Sequence, residues 1–126
     1  MIQKLLWLSL AGASGTICRF ALCEAVSKLR YAHTSFGTLA VNILGSFLIG
    51  LICALGQKKL GLSPEVRVIV LTGFMGAFTT FSTFAFDSAK LMKSGQWVPA
   101  VANIVAQVTF GILALGIGIY AGRAFE

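Results

Sequence analysis

The stretch Thr72-Gly73-Phe74-Met75-Gly76-Ala77-Phe78-Thr79-Thr80-Phe81-Ser82-Thr83-Phe84 decides how this chain folds. It lies inside an apolar segment running from about residue 66 to 89. A helix that only faced lipid would be rich in Leu, Ile and Val, whereas this one alternates Gly, hydroxyl and Phe residues. Glycine lacks a Cβ, and threonine hydroxyls compete for backbone hydrogen bonds, so the pattern predicts a local helix break. A break frees carbonyl oxygens, which membrane depth tolerates only when they are buried in protein or bonded to an ion or water. A midplane cation held by backbone carbonyls is one use of such a break. Close helix packing through Gly and Thr is the other.

Outward from this stretch the chain is apolar throughout. Of its 126 residues, 57% are hydrophobic and 11% charged, and the mean hydropathy is +0.89. Soluble domains carry roughly a quarter charged residues, and disordered chains need low hydrophobicity, so both classes are excluded. A spanning helix takes about 20 apolar residues. The sequence accordingly predicts an all-α membrane protein, one four-helix transmembrane domain over residues 1–126 with spans at about 4–27, 34–56, 66–89 and 96–122. The early part, Leu5 to Gly15, resembles a signal peptide, but removing it would strand three hydrophobic spans, so it is read as the first span. Gly37, Gly45, Ser46 and Gly50 in the second span, and Gly118 and Gly122 in the fourth, offer small surfaces for helix contact. Ser63 and Pro64, with Glu65 beside them, form a helix start before the third.

The net charge of +6 comes from basic residues scattered singly between apolar runs, which face lipid headgroups and do not form a nucleic-acid surface. Four spans place Lys4, Lys58, Lys59, Arg67 and Arg123 on one side, and Lys28, Arg30, Lys90 and Lys93 on the other. Five against four specifies neither orientation well. Either small biases decide one topology, or the chain inserts both ways and pairs antiparallel with itself. Cys18, Cys23 and Cys53 all lie in apolar stretches and read as small core residues.

Enzymatic constellations are missing from the sequence. A lone histidine, His33, sits in a loop, and there is no phosphate-binding Gly-Lys-Ser/Thr motif, so the chain is expected not to be an enzyme. Polar residues at membrane depth carry the function instead. Phe78, Phe81 and Phe84 recur every third residue; such a stripe packs a core, or lets positive ring edges line an anion's path. Asn42, with Thr38 one turn earlier on the same face, offers an amide donor to an anion or an interhelical bond. Ser82 is one of the hydroxyl residues of the third-span run. Arg19 draws anions into a vestibule, snorkels to the interface or pairs with an acid, and Glu24 and Asp87 are read as interface residues.

These residues resemble the Fluc fluoride-channel family, also called CrcB. The resemblance runs through Gly12 to Arg19, through Gly37-Thr38-Leu39-Ala40-Val41-Asn42 with Gly45 and Gly50, and most specifically through Thr79-Thr80-Phe81-Ser82-Thr83-Phe84 after Gly76. It implies an antiparallel dual-topology homodimer in the bacterial inner membrane that exports cytoplasmic fluoride passively through two pores. It also implies a central structural sodium ion held by the backbone carbonyls of Gly76 and Thr79, two from each subunit. Phe81 and Phe84 match the family's pore phenylalanines, Asn42 its pore asparagine, and Arg19 the arginine ending the first-span motif. The resemblance also implies a polar pore track on the fourth span, for which Asn103 and Gln107 are the candidates, with Thr38 and Ser82 on the fluoride path; the span departs from the family there, because Gly111 and Leu115 follow on that face. The competing class is a small dual-topology proton-coupled multidrug exporter. That class needs a carboxylate deep in a span, and Glu24, the only acid in the first, lies near its end.

Overall fold

The computed structural model describes residues 1–29, 34–59 and 61–125. Arg30 and His33, assigned above to the first connection, lie outside the described residues. The chain builds α1 (Ile2–Ser27), α2 (Thr34–Lys58), α3 (Pro64–Val68), a π-helical segment Ile69–Met75, α4 (Gly76–Phe78), α5 (Phe81–Lys93) and α6 (Trp97–Ala124). The four long apolar helices Ile2–Ser27, Ser35–Gly56, Pro64–Lys93 and Trp97–Ala124 are each long enough to cross a bilayer. The third is a composite, and its start follows from sequence. The Ser63 hydroxyl accepts from the Val66 N–H at 3.3 Å, Pro64 takes the first turn, and Glu65 lies at the positive helix end.

Lipid supplies no hydrophobic force between helices, so the bundle is held by close backbone packing. Two glycine seams provide it. Along α2 and α6, a Cβ at Gly50 would strike the Leu115 carbonyl, one at Gly118 the Phe47 carbonyl, and one at Gly122 would come within 2.5 Å of the Ala54 Cβ. Along α1 and the π-helical segment, a Cβ at Gly15 would strike the Phe74 carbonyl, and one at Gly73 would fall 2.9 Å from the Ala11 Cβ. The small core at their junction is Val41, Met75 and Phe78, with Phe74 stacked on Phe78 at 6.0 Å and 8°. Leu5, Leu6, Trp7, Leu10, Ile17 and Phe20 of α1 are exposed, as a lipid-facing helix requires. At the far end of α2, Lys59 Nζ donates to the Phe125 carbonyl at 2.5 Å and stands 5.8 Å from that ring.

The break expected in the third span falls between α4 and α5. Thr79 (φ −85°, ψ 159°) and Thr80 (φ −151°, ψ 113°) are both extended. The Thr79 N–H and hydroxyl both donate to the Met75 carbonyl, at 3.0 and 2.9 Å, closing the upper piece. The Thr80 hydroxyl accepts from the Thr83 N–H at 3.3 Å and so caps α5. Because the chain changes direction here, the three phenylalanines do not share one stripe. Phe78 is 4% exposed in the core, while Phe81 is 77% exposed.

Candidate functional site

The extended step at Thr79 and Thr80 leaves backbone groups without helical partners, and α2 approaches closely enough to supply them. The approach depends on Gly45, where any Cβ would collide with the Thr79 methyl. Three residues earlier on α2, the Asn42 side chain reads the Thr80 backbone from both ends. Its Oδ1 accepts from the Thr80 N–H at 2.8 Å, and its Nδ2 donates to the Thr80 carbonyl at 3.0 Å. A continuous helix would have aimed the Thr80 N–H at the Gly76 carbonyl. Asn42 takes that donor away.

The second Nδ2 hydrogen of Asn42 donates to Gln107 Oε1 on α6 at 3.0 Å. Asn42 therefore couples α2, the break and α6, and both of its amide hydrogens have protein acceptors. Gln107 is 8% exposed, and its Nε2 is the buried side-chain nitrogen or oxygen left without a partner among the described residues. Such a group calls for a ligand or water.

These residues line an open cavity of about 260 Å³ with Ser46, Ile49, Thr79, Phe81, Phe84 and Val108. The rings of Phe81 and Phe84 meet edge to face, with centroids 5.3 Å apart and planes at 71°. In that geometry one ring's positive edge meets the other's negative face. The structure thus brings Asn42, Phe81, Phe84 and Gln107 to one cavity.

The remaining expected residues lie beside it. Thr38, one turn from Asn42, is buried and donates from Oγ1 to Asp87 Oδ2 at 3.1 Å. Asp87, on α5, is 7% exposed, with the α2 hydroxyl of Thr38 donating to its carboxylate. Ser82 is exposed on α5, its Oγ 3.4 Å from Thr80 Oγ1. Asn103, one turn before Gln107 on α6, donates from Nδ2 to Ser88 Oγ at 3.0 Å. Arg19 is half-buried on α1, and the Cys23 thiol lies within electrostatic reach of both Arg19 and Asp87. Glu24 is exposed near the end of α1.

Ser46 is the wall residue that sequence reading assigned to helix contact alone. Its signal was its position, one turn past Asn42 on the same face of α2. It also bears on the weak lower half of α6, since a Cβ at Gly111 would stand 3.7 Å from Ser46 Oγ. A hydroxyl from α2 occupies the face where α6 has none.

Comparison with known proteins adds an independent line. A curated relative from Nitrosococcus oceani, named fluoride-specific ion channel FluC, is 47% identical over 118 residues, covering 94% of each chain. Relatives of the same name from Maridesulfovibrio salexigens and Nitratidesulfovibrio vulgaris are each 40% identical over 122 residues. The matches cover 97% of this chain in both cases, and 97% and 98% of those relatives. The family described as CrcB-like protein, Camphor Resistance (CrcB), matches residues 6–119, and the chain, a multi-pass membrane protein with four spans, belongs to that family.

Proposed function

We propose that this chain is a fluoride-selective channel of the bacterial inner membrane, working as an antiparallel dual-topology homodimer that lets cytoplasmic fluoride leave down the membrane potential. The observation that carries the reading is the broken third span, which sets Phe81 and Phe84 edge to face beside a cavity that Asn42 and Gln107 also line. The names of the relatives supply the anion. HF enters from acid surroundings by diffusion and dissociates inside, so passive export suffices and no enzymatic step is involved.

What one subunit leaves uncovered supports the dimer. Phe81, Ser82 and Thr83 are exposed at the break, and hydroxyls at bilayer depth are costly against lipid. A two-fold axis in the membrane plane sets break against break, because the midplane is the one depth that such an axis preserves. The chain's near tie in basic residues permits both insertions.

The same pairing fits the implied sodium ion. Gly76 is exposed, and its carbonyl loses the Thr80 N–H to Asn42; with Thr79, two subunits offer four backbone oxygens. Among the described residues no cluster of three His, Cys, Asp or Glu could hold a metal, so carbonyl oxygen is the donor chemistry that the break offers. Bound there, sodium supplies a fixed positive charge between the two anion paths and joins the subunits. The pore wall on this reading is Asn42, Phe81, Phe84 and Gln107, with Thr38 and Ser82 beside it and Arg19 in the vestibule.

The test is efflux from liposomes containing the purified protein, loaded with fluoride or chloride and given a potassium ionophore. Fast fluoride release with negligible chloride release is expected. No fluoride release from folded dimers would overturn the reading, and proton-coupled cation export through Glu24 would then be measured.

A further inference from the structure

Most polar hydrogens on the cavity wall are already spent. Both amide hydrogens of Asn42 are used, one on the Thr80 carbonyl and one on Gln107 Oε1. The Thr79 hydroxyl donates to the Met75 carbonyl at 2.9 Å and the Thr80 hydroxyl to Thr83 Oγ1 at 3.0 Å. The Thr80 N–H is held by Asn42 Oδ1, and Gln107 Nε2 has no appreciable surface from which to reach the cavity. Ser46 differs from all of these. It is half-buried, it lines the cavity, and its hydroxyl has no hydrogen-bond partner among the described residues.

A serine inside a helix commonly returns its hydroxyl to the carbonyl four residues earlier. Ser9, Ser14 and Ser88 do so, donating to Leu5, Leu10 and Phe84 at 2.8, 2.8 and 2.9 Å. Ser46 does not. The space in front of it is left open by α6, whose polar stripe of Asn103 and Gln107 gives way one turn later to Gly111. A Cβ at Gly111 would stand 3.7 Å from Ser46 Oγ, in ordinary contact.

We propose that the Ser46 hydroxyl is a hydrogen-bond donor to the anion in this cavity, and that it continues from α2 the polar wall that stops on α6 at Gln107. The proposal rests on the channel reading above. A hydroxyl turns freely about its Cβ–Oγ bond, so it can follow an anion past it without movement of the backbone. One rotating donor also holds loosely enough for release, which conduction requires. Fluoride accepts hydrogen bonds more strongly than chloride, so the donor favours it.

The experiment compares fluoride and chloride efflux from liposomes holding dimers of matched size, for the wild type, Ser46→Ala, Ser46→Cys and the double variant Ser46→Ala with Gly111→Ser. Ser46→Ala deletes the donor, and Ser46→Cys keeps its bulk with a thiol that donates weakly, so one serves should the other fail to assemble. Fluoride efflux is expected to fall in both by roughly ten- to hundredfold, as for loss of a hydrogen bond to a charged partner. The double variant returns a hydroxyl to the same space from the facing helix, and is expected to recover most of the wild-type rate. Wild-type rates in Ser46→Ala or Ser46→Cys would overturn the donor and leave the channel standing. A fall that Gly111→Ser does not reverse would mean that Ser46 acts by packing, and would overturn the donor as well. Absence of fluoride efflux from the wild type would sink the channel reading and the donor with it.

Discussion

At the scale of single residues, the third span separates two kinds of phenylalanine. Phe78 is packed in the core and its loss would open a cavity, whereas Phe81 is 77% exposed and meets Phe84 edge to face. Phe81→Ile keeps apolar bulk and removes the ring, so the dimer should assemble while fluoride efflux falls. Ring electrostatics beyond burial are worth about 0.5–1.5 kcal/mol, which corresponds to roughly a two- to tenfold drop. Unchanged efflux from correctly sized dimers would remove the aromatic wall from the path. Asn42 was legible in the sequence as a polar group at membrane depth with a task to perform. What it binds was not, because its acceptors are a backbone group 38 residues later and a side chain 65 residues later. Gln107 was legible only as a polar position on α6, since its unpartnered nitrogen exists only once the network around it closes.

At the scale of elements, the break was readable and the π-helical segment before it was not. Gly76, Thr79 and Thr80 weaken a helix through local chemistry, which one sequence carries. The widened turn over Ile69–Met75 is where α1 approaches closely, at Gly15 and Gly73, and such contacts are tertiary. The α2–α6 seam gives a matched test of packing. A methyl group at Gly118 meets the Phe47 carbonyl and the Leu51 N–H nitrogen at 2.9 Å, whereas one at Gly116 meets nothing within 4 Å. Gly118→Ala should therefore destabilise the folded protein by about 1–3 kcal/mol through overpacking. Gly116→Ala, in open space on the same helix, should stay within about 1 kcal/mol of wild type. Reversible unfolding in mixed micelles, followed by helical circular dichroism, reads the difference. Equal stability of the two variants would mean that α6 shifts freely against α2, and that the seam does not fix the cavity between them.

At the scale of the whole molecule, the basic residues and the break constrain one another. The polar midplane of the third span needs a partner to cover it, and two parallel copies would not bring their loops into the inverted relation that joins equivalent depths from opposite sides. An antiparallel pair does so, provided that the chain inserts both ways. The near tie between the Lys and Arg residues of the two sides makes that possible, and it can be shifted without touching the cavity. Gln3→Lys with Ala124→Arg raises the first side's tally from five to seven against four, at two exposed positions. Ser94→Lys with Gln96→Lys raises the other side's from four to six against five, again at exposed positions. Each variant expressed alone should insert predominantly one way, leave the break without its inverted partner, and fail to protect cells lacking their own fluoride exporter from fluoride. Co-expression of the two should restore protection, since oppositely inserted copies can then pair. Full protection by both variants alone, with a single orientation verified by reporters fused to the C-terminus, would mean that parallel copies or single chains conduct. The antiparallel dimer would then fall while the anion cavity of the single subunit remained.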